Sequence, residues 1–552
     1  DDDIHKANEQ IIALRNELDN LSVTTQQLLD ANQQLLDNLS ATNQQLLLAY
    51  NDILNSTCWK ITKPLRVLLD NTKRFKCKSI AGFRKSSVLL TKTIRYLGQF
   101  GLKATVRKIR YKIFKGAIRP ESYINAGYNI VSDCSETLDT GKSVSIVIPT
   151  KNAGVEFELL LKNLTNQKGF SRIEIIVVDS GSTDNTVNIS RKYGAKIIQI
   201  KPEEFSHSYS RNLGAENASC EYLCVMTQDA LPSSLYWLYN LYQAMNSEPN
   251  IAAVSCVEYP RADSDLYHRA FVSNHYKYLG ANNKDIIMTY PNDSDYDSVR
   301  KNGQLSDITC FIKRETLLKY KYRGEFAEDL DLGMRLISDG YQLAFLGNEV
   351  SIHSHNRPPY YYLKRWFVDL ITLKKIFPDY PVIETTLLNA IKETVFVAFY
   401  LSRLLDGFKK NNKIFGFMVF RELFFDKYQD IKQKEYPLSS LIRSDNFMLH
   451  FDDMTKSFIQ YCVNEYMKMP IKDGERYKGL MLDSLEGHIN VVFKYMEDCY
   501  ELIDNEVINE FIECISKTFA GIIGTYIGYS YLTSEDDRSK YEDFYRMFGV
   551  GV

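Results

Sequence analysis

SIVIPTKN at residues 145–152 and DSGSTDNT at 179–186 bracket the stretch that decides how this chain folds. Positions 144–149 and 173–179 are continuous apolar runs of strand length, the pattern of strands covered on both faces. The first run leads into a helix expected over 156–166. The second leads into one over 185–193, closed by Gly194 in the left-handed conformation that ends many helices. Strands at 196–200 and 222–227 continue the alternation, so residues 141–380 read as an α/β domain on a parallel sheet. Ligands of open α/β sheets sit beyond the carboxyl ends of the strands. Pro149, Thr150, Asp179 and Asp229 all fall at such ends.

Beyond residue 380 the apolar period turns helical, for example over 387–405 and 489–503, which gives a helical accessory region at 381–552. Before the sheet lies a basic stretch. Residues 60–119 hold eighteen Lys and Arg against one acid, Asp70, with aromatic residues between them. Such a segment suits the headgroup region of an anionic leaflet, so 58–140 reads as a membrane-associating linker. A nucleic-acid role and a solvated face packed on the acidic remainder are the rivals, and no nucleic-acid motif accompanies the charge. Ahead of it, Ile4, Ile11, Leu18, Thr25, Asn32, Leu39, Leu46 and Ile53 keep one seven-residue register. That register predicts a coiled coil over 1–57 and a homo-oligomer through residues 4–53, with Asn32 fixing register.

Composition narrows the class. A chain of 552 residues exceeds one core and implies two to four domains. Its ten cysteines are scattered without C-x-x-C or zinc spacing, which fits reduced thiols. No apolar run of spanning length occurs, and the start, DDDI, carries no signal-peptide pattern. A dehydrogenase is disfavoured because no G-x-G-x-x-G follows an expected strand.

Four further strings carry chemistry. FSHSYSRNLGAENA at 205–218 reads as a helix start capped by Ser206 or Ser208, with Arg211 and Asn212 in its first turns. TQDALP at 227–232 ends the fourth strand, and AEDLDL at 327–332 opens a helix running to Gly340. In that helix Leu330, Met334 and Ile337 mark the expected buried face, Asp329 lies at its edge, and Gly333 leaves it room. HSH at 353–355 puts His353 and His355 on one side of an extended segment. Thr183 and Asp184 read as helix caps.

In this order the motifs resemble the catalytic domain of family 2 glycosyltransferases with the GT-A fold, over about 240 residues. The resemblance implies nucleotide-sugar binding by Pro149, Thr150, Asp179, Ser180, Arg211, Asn212, Thr227 and Gln228. Asp179 would take the base, while Arg211 and Asn212 would reach ribose or diphosphate. TQDALP matches the family's DXD signature with Thr227 at the first position, leaving Asp229 to ligate a divalent cation, Mg2+ or Mn2+. His355, then His353, would complete that site. Asp329 is the implied general base and Glu328 its acceptor-orienting neighbour.

The TQDALP variant and FAGIIGTYIGYSYL at 519–532 are similar to bacterial rhamnosyltransferases of O-antigen or capsule synthesis. The reading is therefore inverting transfer of L-rhamnose from dTDP-β-L-rhamnose to a lipid-linked oligosaccharide, at the cytoplasmic face of the plasma membrane. Nucleic acid is not an expected partner. The alternatives are another donor, UDP-galactofuranose or UDP-GlcNAc, or a coiled-coil scaffold with an inactive transferase-like domain.

Overall fold

The computed structural model describes residues 139–549, apart from positions 262, 294, 307, 411–413, 434–450 and 470–479. The coiled coil expected over 1–57 and nearly all of the basic segment lie outside the described residues. Strands β1 (Ser143–Thr150), β2 (Arg172–Asp179), β3 (Lys196–Gln199) and β4 (Tyr222–Met226) form the parallel half of the sheet. Five more complete it: β5 (Leu231–Pro232), β6 (Ile251–Tyr259), β7 (Ile286–Met288), β8 (Thr309–Lys313) and β9 (Gln342–Ile352). Their order is β3-β2-β1-β4-β8-β6-β9-β5, with β7 also on β9.

The expected all-parallel sheet is corrected in its second half. β8 runs antiparallel between β4 and β6, and β5 and β7 run antiparallel to β9. A five-residue apolar strand such as β8 reads the same in either direction, so its composition carries no sign of orientation. β6 and β9 are parallel to one another. The carboxyl ends of β1, β2, β4, β6 and β9 therefore share one edge, which collects the candidate residues.

Helices cover both faces: α1 (Glu156–Thr165), α2 (Thr186–Lys192), α3 (His207–Glu216), α4 (Trp237–Met245), α5 (Leu266–Leu279), α6 (Tyr296–Asn302), α7 (Arg314–Tyr320) and α8 (Glu328–Ser338). Val147, Ile176, Val178 and Val225 belong to one buried cluster, and Ile146, Ile148, Val177 and Cys224 to the other. Alternate residues of one strand thus enter different cores, which is why the runs are apolar without a break.

The C-terminal body contains α9 (Pro359–Ile376), α10 (Leu387–Lys409), α11 (Phe417–Gln433), α12 (Asp453–Met467), α13 (Leu480–Cys499) and α14 (Asn505–Thr533). Short helices α15 (Glu535–Lys540) and α16 (Glu542–Arg546) follow. The helix expected over 489–503 begins earlier and stops at Cys499, because Leu502–Ile503 pairs as a two-residue strand with Phe415–Gly416. α9 shares its core with this body, as does the start of α5 through Leu266, Tyr267 and Ala270. Lys517 and Glu510 of α14 also pair with Asp265 at the start of α5 and Arg269 within it, at 2.6 and 2.7 Å.

The glycines of FAGIIGTYIGYSYL explain how α14 meets α9. A Cβ on Gly521 would strike the Trp366 ring, one on Gly524 the Leu363 carbonyl, and one on Gly528 the Leu370 side chain. Carbonyl oxygens of a helix cannot swing aside as a rotamer can. Gly524→Ala is expected to destabilise the protein by about 3 kcal/mol or more. Gly407→Ala, in the open part of α10, should stabilise it by about 0.5–1 kcal/mol. Urea midpoints of the two variants against the parent check this. No helix among the described residues is long and apolar enough to cross a membrane.

Candidate active site

Three groups of side chains stand along the shared strand edge. The first joins β1 to β2. Parallel pairing sets Thr150 beside Asp179, and the Thr150 Oγ1 hydroxyl donates to Asp179 Oδ1 at 3.2 Å. The Ser182 backbone N–H donates to Asp179 Oδ2 at 3.1 Å, and Ser180 Oγ donates to the Thr150 carbonyl at 3.1 Å. Thr150, Asp179 and Ser180 are buried and Pro149 half-buried. Asp184 accepts from the Thr186 N–H at 3.0 Å and from the Gly154 N–H at 3.1 Å. It therefore holds the first N–H of α2 and ties the loop after β1, but the N-cap position is Asn185, and Thr183, also read as a cap, bonds Asn152 instead.

The second group joins β4 to β9. Asp229 follows β4, and His353 and His355 follow β9. His353 Nε2 lies 3.4 Å from Asp229 Oδ1, and His355 Nδ1 lies 3.8 Å from Oδ2. One ligand atom from each of the three lies within 4.8 Å of the others. Behind them stands Glu258, near the end of β6, which sequence reasoning missed. Its Oε1 meets His353 Nδ1 at 2.9 Å and His268 Nε2 at 2.7 Å. Arg261 donates to the Asp229 carbonyl at 2.6 Å and pairs with Glu156.

Charge is strongly organised here. Burial disfavours a charged His353, yet hydrogen bonds to Asp229 and Glu258 outweigh it and raise its pKa to about 10. Burial works against the Glu258 carboxylate too, but His268 and His353 hold it down to about 2. Asp229 is likewise lowered: the two histidines and Thr227 overcome its desolvation. His355 falls to about 4 through burial and the neighbouring His353 charge.

His353 Nε2 is buried, and its contact with Asp229 Oδ1 at 3.4 Å is long and poorly aligned. In the neutral ring, an Nδ1–H directed at Glu258 would leave Nε2 as the nitrogen able to ligate a cation beside Asp229. A carboxylate behind a histidine is the usual means of orienting an imidazole ligand. One carboxylate oxygen and two imidazole nitrogens suit Mn2+ better than Mg2+, which prefers oxygen alone.

The third group joins α3 to α8. Ser206 Oγ caps α3 by accepting the Tyr209 N–H at 3.0 Å, as expected. Arg211, buried, pairs with Glu328 and lies over the Tyr322 ring at 5.4 Å. Asn212 clamps the Tyr322 backbone from both sides at 2.9 Å. Gln228 does the same to Lys151, accepting its N–H at 2.9 Å and donating to its carbonyl at 3.3 Å. Arg211, Asn212 and Gln228, read as reaching for the nucleotide, are thus engaged with protein.

Ala327 precedes Glu328 with φ 52°, a left-handed conformation costing a non-glycine residue about 1–3 kcal/mol. Asp329 is half-buried and lines a hollow of about 250 Å3 with Phe326, Arg365 and Asp369. It lies near Cys310, whose thiol is pushed to about 11 by burial and, to a smaller extent, by the Asp329 charge. Cys310 pairs with Val225 of β4.

Two details of α8 correct the sequence reading. Met334 is half-buried while Leu332 and Leu336 complete the core face. Gly333 exists for contact with the Gly303 carbonyl, which a Cβ would strike, not to give Asp329 room.

Residues 145–295 match the model "Glycosyl transferase family 2". That stretch is a glycosyl transferase family 2 domain. Its α/β sheet, with Asp229 at the end of β4, is the GT-A arrangement expected above. The transferase domain is 27% identical over 232 residues to an O-antigen chain rhamnosyltransferase of Salmonella anatum, covering 41% of this chain and 70% of that one. It is also 27% identical over 230 residues to an O-antigen chain rhamnosyltransferase of Salmonella typhimurium, with the same coverage. Among solved structures it is similar to a mannosyltransferase from Pyrobaculum calidifontis in complex with GDP-Man and Mn2+. That match has 19% identity and a TM-score of 0.33, over 46% of this chain and 70% of the other.

Proposed function

We propose that this chain catalyses inverting transfer of a sugar, L-rhamnose from dTDP-β-L-rhamnose, to a lipid-linked oligosaccharide of a bacterial surface polysaccharide. The observation that carries the reading is the Asp229–His353–His355 cluster. In the reaction the acceptor hydroxyl gives its proton to the Asp329 carboxylate as its oxygen attacks the anomeric carbon. The bond from that carbon to the diphosphate breaks on the opposite face, and the nucleoside diphosphate leaves. Asp229, His353 and His355 would hold a divalent cation, which neutralises charge on the leaving diphosphate. Asp179 and its Thr150–Ser182 surround would form the wall against the base.

The rhamnose assignment is supported by the two O-antigen chain rhamnosyltransferases to which the domain is similar. UDP-galactofuranose and UDP-GlcNAc are the competing donors. Thr227, standing where the DXD pattern has an acid, favours an inactive scaffold, and the two histidines supply donors that offset this. Assembly through residues 4–53 and contact of 58–140 with an anionic cytoplasmic leaflet complete the proposal. A panel of nucleotide sugars, followed by calorimetry and product mass, tests it. dTDP-rhamnose should bind and turn over; turnover with another donor alone would move the assignment, and none with any would sink it.

Glu258 gives a separate check. Glu258→Gln should weaken Mn2+ binding by about 10- to 100-fold, read by calorimetry with the metal alone. An unchanged affinity would show that the second carboxylate does not orient His353.

A further inference from the structure

The hollow around Asp329 does not end at its own walls. Phe326 and Glu325 also line a groove of about 700 Å3 between the 323–331 segment, α9 and residues 531–549. Its apolar wall is aromatic: the Phe367 and Tyr545 rings stack at 6.4 Å with 16° between planes, and Tyr531 meets Tyr545 edge-on at 5.1 Å. Two cations stand at its rim, Arg323 and Lys375, both exposed. Neither has an ion-pair partner among the described residues. Of the other charges of the groove, Arg546 pairs with Glu542 at 2.9 Å and Asp331 with Arg335 at 2.7 Å, while Glu325 stands exposed at the end toward Asp329. An aromatic wall suits an apolar chain or the C–H face of a sugar, and the rim cations suit an anionic group.

We propose that this groove is the acceptor tract and takes an amphiphile with a phosphate-bearing headgroup. Its anionic group lies between Arg323 and Lys375, its apolar chain follows Phe367 and Tyr531, and its terminal sugar passes Phe326 to reach Asp329. This rests on the transferase reading above. It assigns the C-terminal body a substrate-binding role.

The test uses the full chain with its donor site saturated by dTDP or UDP and Mn2+, so that only a second site remains. Farnesyl diphosphate and inorganic diphosphate are the probes, titrated by calorimetry. The parent should bind farnesyl diphosphate at least about tenfold more tightly than inorganic diphosphate. The double variant Arg323→Glu/Lys375→Glu should weaken farnesyl diphosphate binding about tenfold or more and leave nucleotide binding as it was. Both side chains are exposed, so reversal spares the core, and near-ultraviolet circular dichroism verifies that. Equal binding of the lipid diphosphate by parent and variant would overturn the inference. So would equal affinity for the two probes, which would mean a site for free diphosphate. Failure of the parent to bind either nucleotide would overturn the transferase reading, and this inference with it.

Discussion

Asp329→Asn is expected to slow sugar transfer by about 10²- to 10⁴-fold, the range a positioned general base contributes. The amide keeps the shape of the carboxylate and loses only its ability to accept a proton, so nucleotide affinity should shift by less than about threefold. kcat and kcat/KM should fall together, the signature of an interaction made in the transition state. Glu328→Gln should behave differently. Glu328 is buried against Arg211, and removing one partner of a buried pair costs about 3–5 kcal/mol of stability. Its loss of activity should therefore come with a lowered unfolding midpoint, whereas Asp329→Asn should unfold like the parent. Transfer by Asp329→Asn within a factor of ten of the parent would remove Asp329 from the chemistry and favour the scaffold reading.

The second large effect is expected at Asp229, which faces both histidines. Asp229→Asn leaves two imidazoles without the anionic oxygen that makes the set suitable for a hard divalent ion. Mn2+-dependent binding of the nucleoside diphosphate should drop by about 100-fold or more, while binding measured in chelator should change little. The comparison is a calorimetric titration of the nucleotide with Mn2+ and with EDTA. If the variant retains the full Mn2+ enhancement, the cation lies elsewhere.

Part of this was legible in the sequence, for physical reasons that can be named. Strands β1 and β2 could be read because burial on two faces leaves no room for polar residues. Asp229, His353 and His355 could be found because short strings at strand ends keep their spacing. Glu258 could not: its partners lie ten and 95 residues away, and an acid at a strand end looks like many others. Asn212 and Gln228 misled because a side-chain amide has the same letter whether it faces a ribose or a backbone. Gly333 misled similarly, since only the position of Gly303 shows which surface comes close. The direction of β8 was beyond reach, because pairing partners and not composition decide it.

The crossing of α14 over α9 has a practical consequence. The family match ends at 295 and the hydrophobic rhythm changes near 380, so either position invites a shortened version. Both cuts would strip α5 of its lid, and the second would strip α9 as well, leaving apolar stripes bare to water. A fragment ending there should precipitate or bind chaperones. Grafting this active centre into another polypeptide therefore requires carrying the whole helical tail along as part of the smallest portable unit.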